Sequence, residues 1–369
     1  MNSINLSILF LLIFPVCYSL LIFYFSFRGR KRIPIQFPAS GKKVRILIAA
    51  RNEEQNLRPL LLALKNQTYP KDLIEIIIAD DHSEDNSLGI LHSCNDIKTI
   101  EMTWQRGKKQ AIAETIKIAQ GEIFLFTDAD CIPSNEWVSD MTSFFTNDKI
   151  KMVLGPVILT GKSIFAKLQA LEFAGLIGIT RISARTNNPL MANGANMAIR
   201  KETLLSLPSS YLKMEYASGD DMFTMLSVRK LYGKNAVVFS ETPGSSVFTL
   251  AISSLSDFIT QRIRWVSKTS GFTESYLLIF GAITLFCNLS LLILMILSLT
   301  ACWALVVFFI AFGLKFLTEF PMMRNECYST KRPGLLWMLP FLQIIYPFYV
   351  VFFTLGGLLI DVKWKGRKI

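Results

Sequence analysis

The feature that most constrains this chain is the stretch Tyr276 to Phe320, 45 residues in which Lys315 and Glu319 are the only charges. A hydrocarbon core of ~30 Å is crossed by about 20 helical residues. The stretch therefore reads as two spanning helices joined by a tight turn near Ser298 to Cys302, with Lys315 and Glu319, four apart, pairing on one helix face near the boundary. Ile4 to Phe27 is a second apolar run, 24 residues without a charge. It lacks a basic n-region and an A-x-A cleavage site, and Arg28, Arg30, Lys31 and Arg32 follow it, so it reads as a retained signal-anchor whose C-terminal side faces the cytoplasm. Leu335 to Ile360 is the last apolar run, interrupted by Pro340 and Pro347. A single crossing puts the basic tail Lys363 to Lys368 outside, whereas a re-entrant hairpin keeps it in the cytoplasm, and both readings stand.

Charge is unevenly spread along the chain. The net charge is +11 over 369 residues, which first suggests nucleic acid. Residues 28–45 hold seven Lys or Arg and no acid, and the tail from Asp361 adds a net +3. Both stretches flank apolar runs, where basic residues fix topology and meet anionic lipid. A nucleic-acid footprint would be a basic stripe on a folded domain, and residues 46–150 are instead acidic, with ten basic residues against seventeen acids. The expected partners include membrane lipid and exclude nucleic acid. The six cysteines contain no CxxC, three lie in apolar runs, and only His82 and His92 are histidines. Neither a disulfide framework nor a zinc site is expected, and the chemistry rests mainly on carboxylates.

Residues 44–250 have the pattern of an α/β domain. Val44 to Ala50, Ile74 to Ala79 and Ile123 to Thr127 are short apolar runs of the buried parallel-strand type, and Glu53 to Asn66 and Lys108 to Ala119 have helical periodicity. Strand, helix, strand at this spacing is the doubly wound pattern, whose ligands bind at the carboxyl ends of the strands. Acidic clusters stand at those ends. Ala50-Arg51-Asn52-Glu53-Glu54 follows the first strand and Asp80-Asp81-His82-Ser83-Glu84-Asp85 the second. Such carboxylates accept hydrogen bonds from a base or ribose; the alternative is helix capping, for which Asn52, Ser83 and Asp85 are suited.

Thr127-Asp128-Ala129-Asp130 closes the third strand. Two acids one residue apart, directly after four apolar residues, call for a compensating cation, and oxygen ligands of this kind suit Mg2+ or Mn2+. Gly219-Asp220-Asp221 precedes a helical stretch, Met222 to Leu231, and is a place for a general base or for a capping pair. Asn193-Gly194-Ala195-Asn196 is a turn-forming segment that lets a ligand approach the backbone. In Gln261-Arg262-Ile263-Arg264-Trp265, Arg264 can fork onto phosphate oxygens while Trp265 stacks on a ring; alone, the segment would read as an interfacial anchor. Lys162 to Arg185 carries Ile164, Phe165, Leu168, Leu171 and Leu176 at near-helical spacing, which suits either an interfacial helix or a core helix.

Taken in order, these motifs resemble a membrane-bound glycosyltransferase of family 2, the inverting group with the GT-A nucleotide-sugar fold, from about Val44 to Lys268. The resemblance implies that Ala50, Arg51 and Glu53 belong to the nucleotide pocket, with Asp80 or Asp81 on the base and Lys108 in the segment before the metal motif. Asp128-Ala129-Asp130 corresponds to the family's DxD motif, with Asp130 the direct metal ligand and Asp128 beside it. Asp221 stands as the base, with Asp220 replacing the usual Glu. Gln261, Arg262, Arg264 and Trp265, with Gly194 and Asn196, fall on the diphosphate and acceptor side. His82 stands where a small residue is common.

The implied chemistry is a metal-assisted single displacement, Mg2+ or Mn2+ serving as cofactor. A sugar passes from a nucleotide donor, a UDP-sugar by resemblance, to a lipid-linked or glycan acceptor at the cytoplasmic face of a bacterial inner membrane. A processive polysaccharide synthase is the alternative within the class, and a non-catalytic scaffold or transporter the alternative outside it. The expected architecture is an α/β GT-A (Rossmann-like) domain with one N-terminal and two to three C-terminal transmembrane helices. Its parts are the signal-anchor 1–27, a basic linker 28–43, the catalytic domain 44–250 with a possible interfacial helix 162–185, and the QxxRW segment 251–275. Two transmembrane helices in 276–320, a cytoplasmic loop 321–334, a membrane segment or hairpin 335–360 and a basic tail 361–369 complete it.

Overall fold

The computed structural model describes residues 3–29, 40–104, 107–213, 216, 219–359, 363–364 and 367–368. The chain divides into two compact units. One comprises Met1–Arg30, Lys162–Ile182 and Ile252–Ile369, the other Lys31–Gly161 and Ser183–Ala251.

The second unit is the α/β unit. Its strands are β1 (Val44–Ala50), β2 (Ile74–Asp80), β3 (Ile97–Glu101), β4 (Ile123–Phe126), β5 (Cys131–Pro133), β6 (Met152–Leu154), β7 (Val157–Thr160), β8 (Met197–Arg200), β9 (Val237–Phe239) and β10 (Val247–Leu250). Seven of them form one sheet in the order β3-β2-β1-β4-β8-β6-β9, and β5-β10-β7 form a second. The expected strands are present because their Val, Ile, Leu and Phe runs are buried: every residue of Ile123–Phe126 is inaccessible or nearly so. β1 pairs in parallel with β2, Ala50 opposite Asp80, and with β4, Leu47 opposite Phe126. This register brings the carboxyl ends of the three strands side by side. Helices Glu54–Lys65 and Lys108–Ile118 stand within a residue or two of the expected spans.

The sheet departs from a purely parallel winding at β8, which runs antiparallel to β4 and β6. The chain reverses at the Asn193–Asn196 turn, closed by Asn196 N donating to Asn193 O (3.0 Å) and Ala195 N to Asn193 Oδ1 (3.0 Å).

The other unit is helical. Among the described residues, four helices are long and apolar enough to cross a membrane: the N-terminal one over Phe10–Arg28, then Ser275–Leu297, Cys302–Ser329 and the helical run Pro333–Leu359. The N-terminal helix packs against Ser275–Leu297 and Cys302–Ser329, and the last helix packs against Ser275–Leu297 and Leu255–Ser267. The turn between the middle pair falls at residues 298–301, where it was expected. Lys315 and Glu319 do pair, at 3.0 Å, buried between helices. Tyr18 donates to Glu319 at 2.5 Å, and Gln343 bonds both members of the pair.

Residues 321–334 are not a loop throughout: helix Cys302–Ser329 runs on through Pro321, and the buried Glu326 accepts from Arg181 at 2.9 and 3.0 Å. That pairing supplies a reason for the chain to stay helical past the proline. The final segment is one unbroken helix, Leu339–Leu359, with Pro347 inside it, and makes no hairpin turn. Helix Ile164–Ala184 buries Gln169, Leu171, Glu172, Phe173 and Ile177 and leaves Ile164 exposed. Arg30, Lys31 and Arg32, and the side chains of the tail Lys363 to Lys368, lie outside the described residues.

Candidate active site

The loops after β1 and β2 brace one another. Asn52 N donates to Ser83 Oγ (2.9 Å), Glu53 N to Ser87 Oγ (2.8 Å) and Glu54 N to Asp85 Oδ2 (3.1 Å). In return, Glu84 N donates to Asn52 Oδ1 (2.8 Å) and Asn86 N to Glu54 Oε2 (3.0 Å). The second cluster thus satisfies the free N–H groups at the start of helix Glu54–Lys65, a capping role played across two loops. Arg51 lies 3.6 Å from Glu84, and Ala50 is buried at the strand end.

Asp80 and Asp81 are both buried but differ in what they offer. Both carboxylate oxygens of Asp81 accept from Gly107 N (3.0 and 2.9 Å), and His82 Nδ1 lies 3.2 Å from Asp81 Oδ1. Gly107 has φ 122°, a conformation that requires glycine, so Asp81 anchors the entry to helix Lys108–Ile118. Asp80 Oδ2 accepts from Ser83 N (3.0 Å), while its Oδ1 is buried without a hydrogen-bond partner. Of the two acids, Asp80 is the one with an unsatisfied acceptor, which a ligand N–H or O–H would satisfy.

Below them the charges converge. Lys108 Nζ donates to Asp128 Oδ1 at 2.5 Å. The surrounding protein disfavours the Lys108 charge, but Asp128, with Asp220 and Asp221 behind it, outweighs this and holds the ammonium above its ordinary value. Asp130 is open to solvent by accessible area. Even so, the mass of protein around it, then the charges of Asp128 and Glu53, push its carboxyl up to about 6. Glu53 belongs to the same electrostatic neighbourhood as the DxD acids.

Asp220 and Asp221 open helix Asp220–Tyr232, behind Gly219 in the left-handed region (φ 93°). Asp221 Oδ1 accepts from Met222 N (2.7 Å) and Oδ2 from Gly194 N (3.2 Å). A Cβ built on Gly194 would stand 3.7 Å from both Asp220 Oδ2 and Lys108 Nζ, and 3.8 Å from Asp221 Cβ. Gly194 therefore adjoins both acids and the lysine. Tyr211 belongs here as well, its hydroxyl pushed up to about 12 by burial and by Asp220.

Two expected ligand residues are instead structural. Asn196 is inaccessible; its Oδ1 accepts from Trp137 Nε1 (2.9 Å) and its Nδ2 donates to Pro156 O and Ser245 O (2.8 Å each). Both amide N–H groups and the oxygen are engaged, so Asn196 is a strut of the α/β core and not a diphosphate or acceptor contact. Arg262 belongs to the helical unit, on the QxxRW helix Leu255–Ser267. It donates to Glu172 Oε2 (2.8 Å), Tyr349 Oη (2.8 Å) and Gln261 Oε1 (2.5 Å), and Tyr349 donates to Glu172 Oε1 (3.0 Å). Its guanidinium also stacks 4.2 Å from the Trp265 ring, which packs on Phe173. Arg262 is a buried pin within its own unit and does not serve as a phosphate ligand. Gln261, Arg264 and Trp265 are described with that unit.

Among the described residues no cluster of three or more His, Cys, Asp or Glu side chains is placed to hold an ion. Asp128 and Asp130 offer two carboxylates, which suits Mg2+ or Mn2+, since such ions keep positions for substrate phosphates. Burial first, and then the charges of Asp128 and Glu53, raise the Asp130 carboxyl, and a cation would offset the second of these.

Residues 45–206 match the model of glycosyl transferase family 2. The poly-beta-1,6-N-acetyl-D-glucosamine synthase of Staphylococcus epidermidis is 32% identical over 145 residues, 38% of this chain and 35% of that protein. The glycosyltransferase AglE of Haloferax volcanii is 28% identical over 121 residues, 32% of this chain and 40% of that protein. The match thus spans about a third of the length of these curated relatives. A solved structure, the mannosyltransferase PcManGT from Pyrobaculum calidifontis in complex with GDP-Man and Mn2+, superposes with a TM-score of 0.60 at 15% identity, over 96% of this chain and 98% of that one. Residues 45–206 are therefore a glycosyl transferase family 2 domain by match, the α/β unit has the fold of that solved transferase, and the same chain carries helices long and apolar enough to cross a membrane. The family match ends at residue 206, short of the expected Lys268, so Gly219 to Asp221 and Gln261 to Trp265 lie beyond it.

Proposed function

We propose that the protein is an inverting transferase that moves a sugar from a uridine diphosphate donor to a hydroxyl of a lipid-linked or glycan acceptor at the cytoplasmic membrane face. The convergence of Lys108, Asp128, Asp130, Glu53, Asp220 and Asp221 beyond the carboxyl ends of β1, β2 and β4 carries this reading. Asp221, oriented by Gly194 N and Met222 N, takes the proton of the acceptor hydroxyl as that oxygen attacks the anomeric carbon. The bond from that carbon to the diphosphate breaks in the same step, without a covalent enzyme intermediate. Asp128 and Asp130 would hold Mg2+ or Mn2+, which when bound offsets charge on the departing diphosphate. Lys108 keeps the Asp128 carboxylate oriented and adds a positive charge to that side. Gln261, Arg264 and Trp265 are assigned to the diphosphate and acceptor side by resemblance alone.

Asp80 supports uridine over guanosine. It has one buried oxygen without a partner, Oδ1, since Oδ2 holds Ser83 N and both Asp81 oxygens hold Gly107 N. Uracil presents a single N–H on its pairing edge, whereas guanine presents two donors there and asks for a bidentate partner. Adenine and cytosine present an acceptor nitrogen at the matching position. Membrane delivery of the acceptor is supported by the four spanning helices, and the cytoplasmic face by the basic residues that follow the first of them in sequence.

A second reading, a processive polysaccharide synthase, is favoured by the name of the staphylococcal relative; product length on a defined acceptor separates one added sugar from a ladder. The test of the main reading offers the detergent-solubilised full chain a panel of UDP- and GDP-sugars with Mn2+, Mg2+ or chelator. Metal-dependent consumption of a UDP-sugar is expected. Failure to consume any donor with either metal would sink the proposal and favour a non-catalytic scaffold.

A further inference from the structure

Beside Lys108 stands a second lysine whose environment differs completely. Lys109 is 6% exposed, and its ammonium donates to three backbone carbonyls, Leu212 O (2.8 Å), Lys213 O (3.0 Å) and Tyr216 O (2.6 Å). It also lies 5.4 Å from the ring of Phe223, which sits in the first turn of helix Asp220–Tyr232 and meets Tyr216 at 5.5 Å. A buried ammonium is costly unless paired or hydrogen-bonded, and here its partners are carbonyls of the segment that leads into Gly219-Asp220-Asp221. That segment also carries Tyr211, the phenol influenced by Asp220. Lys213 adopts a left-handed conformation (φ 45°), so its carbonyl turns to the ammonium at some backbone strain.

We infer that Lys109 is a positioning residue for the transfer step: its ammonium holds the carbonyls of Leu212, Lys213 and Tyr216 and, through Tyr216 and Phe223, fixes where Asp220 and Asp221 stand. The two consecutive lysines divide the work at the start of helix Lys108–Ile118. Lys108 faces Asp128 and the acids, and Lys109 holds Tyr216 and Phe223, the latter in the same helical turn as two of those acids. Lys109 holds Leu212, Lys213, Tyr216 and Phe223, on the side of Asp220 and Asp221, so its removal is expected to act on turnover and to leave nucleotide binding in place. This inference rests on the reading of Asp221 as the base.

The test compares Lys109→Met and Lys109→Arg in the detergent-solubilised full chain. It reads kcat on the donor found in the panel, the Kd for UDP in the presence of Mn2+, and the pH profile of kcat. For Lys109→Met the expected result is a fall in kcat on the order of 100-fold, the effect of a misplaced reacting group, with UDP binding unchanged and the pH profile displaced. Lys109→Arg, whose guanidinium still donates to several carbonyls, is expected to recover most of kcat. If Lys109→Met does not fold, Lys109→Gln, which keeps a neutral donor, is measured in its place and expected to show the same kcat loss without loss of UDP binding. Unchanged kcat, a joint loss of kcat and UDP binding, or an Arg variant no better than Met would each overturn the inference. Asp221→Asn is measured alongside. An inactive Asp221→Asn with an active Lys109→Met overturns the inference alone, whereas an active Asp221→Asn overturns the reading on which it rests.

Discussion

The ammonium of Lys108 and the carboxylate of Asp128 meet at 2.5 Å, so the first acid of the DxD pair is held by a lysine of the same unit. A divalent ion and Lys108 then compete for Asp128. Replacing Lys108 with Met is expected to strengthen binding of Mn2+ alone, because Asp128 is released. It is expected to weaken binding of UDP with Mn2+ by about tenfold or more, the size of one charge-assisted bond lost. Calorimetry with Mn2+, with and without UDP, reads both changes; shifts of the same sign would count against the competition.

The Asp130 carboxyl, pushed up to about 6, sets a pH dependence. Above that value it is ionised and open to an ion; below it, a proton must leave before metal binds. Mn2+ affinity is therefore expected to fall as pH drops through about 6, and Asp130→Asn to bind weakly at every pH with that step gone. A Mn2+ titration of the wild-type chain between pH 5 and pH 8 showing no such fall would remove Asp130 from the ion site.

Asn196 sits between Trp137, Pro156 and Ser245, and a Cβ on the neighbouring Gly155 would fall 2.4 Å from its amide. Asn196→Ala leaves buried donors and acceptors without partners, and is expected to destabilise the α/β unit by roughly 2–5 kcal/mol. UDP affinity of the folded fraction should stay unchanged. Thermal unfolding followed with and without UDP checks this, and a variant that melts normally but has lost UDP binding would return Asn196 to the ligand site.

Within the helical unit, Glu172→Gln strands the buried Arg262 charge, with an expected cost of about 3–5 kcal/mol. The double variant Glu172→Gln with Arg262→Gln should cost less than the sum of the single ones, since the unpaired charge is gone. Arg262→Lys is not expected to substitute, because one ammonium does not reproduce a fork across Glu172, Tyr349 and Gln261. Additive losses in thermal unfolding would show that Glu172 and Arg262 do not act as one unit.

The legible parts of the fold were those written as local pattern. Val44–Ala50 and Ile123–Phe126 announce buried strands by composition, and the acids directly after them announce the site. What sequence did not show depends on partners far along the chain. Pro321 reads as a helix end until Arg181, 145 residues away, is seen holding Glu326. Asn196 reads as a polar turn residue until Trp137, 59 residues away, fills its oxygen. The antiparallel course of β8 was equally hidden, since four buried residues carry no mark of direction. Lys109 reads as one more basic residue, and only its burial under three carbonyls separates it from Lys108.

The central claim is that the α/β unit binds a nucleotide sugar through Asp80, Asp128 and Asp130 and transfers the sugar with Asp221 as base. The most direct measurement pairs the transfer rate with UDP affinity in the presence of Mn2+ for Asp221→Asn, in the full chain. Transfer falling by about 100-fold or more, the scale of general-base catalysis, with UDP bound as in the wild type, is the predicted result. Wild-type transfer by a variant that still binds UDP would contradict it.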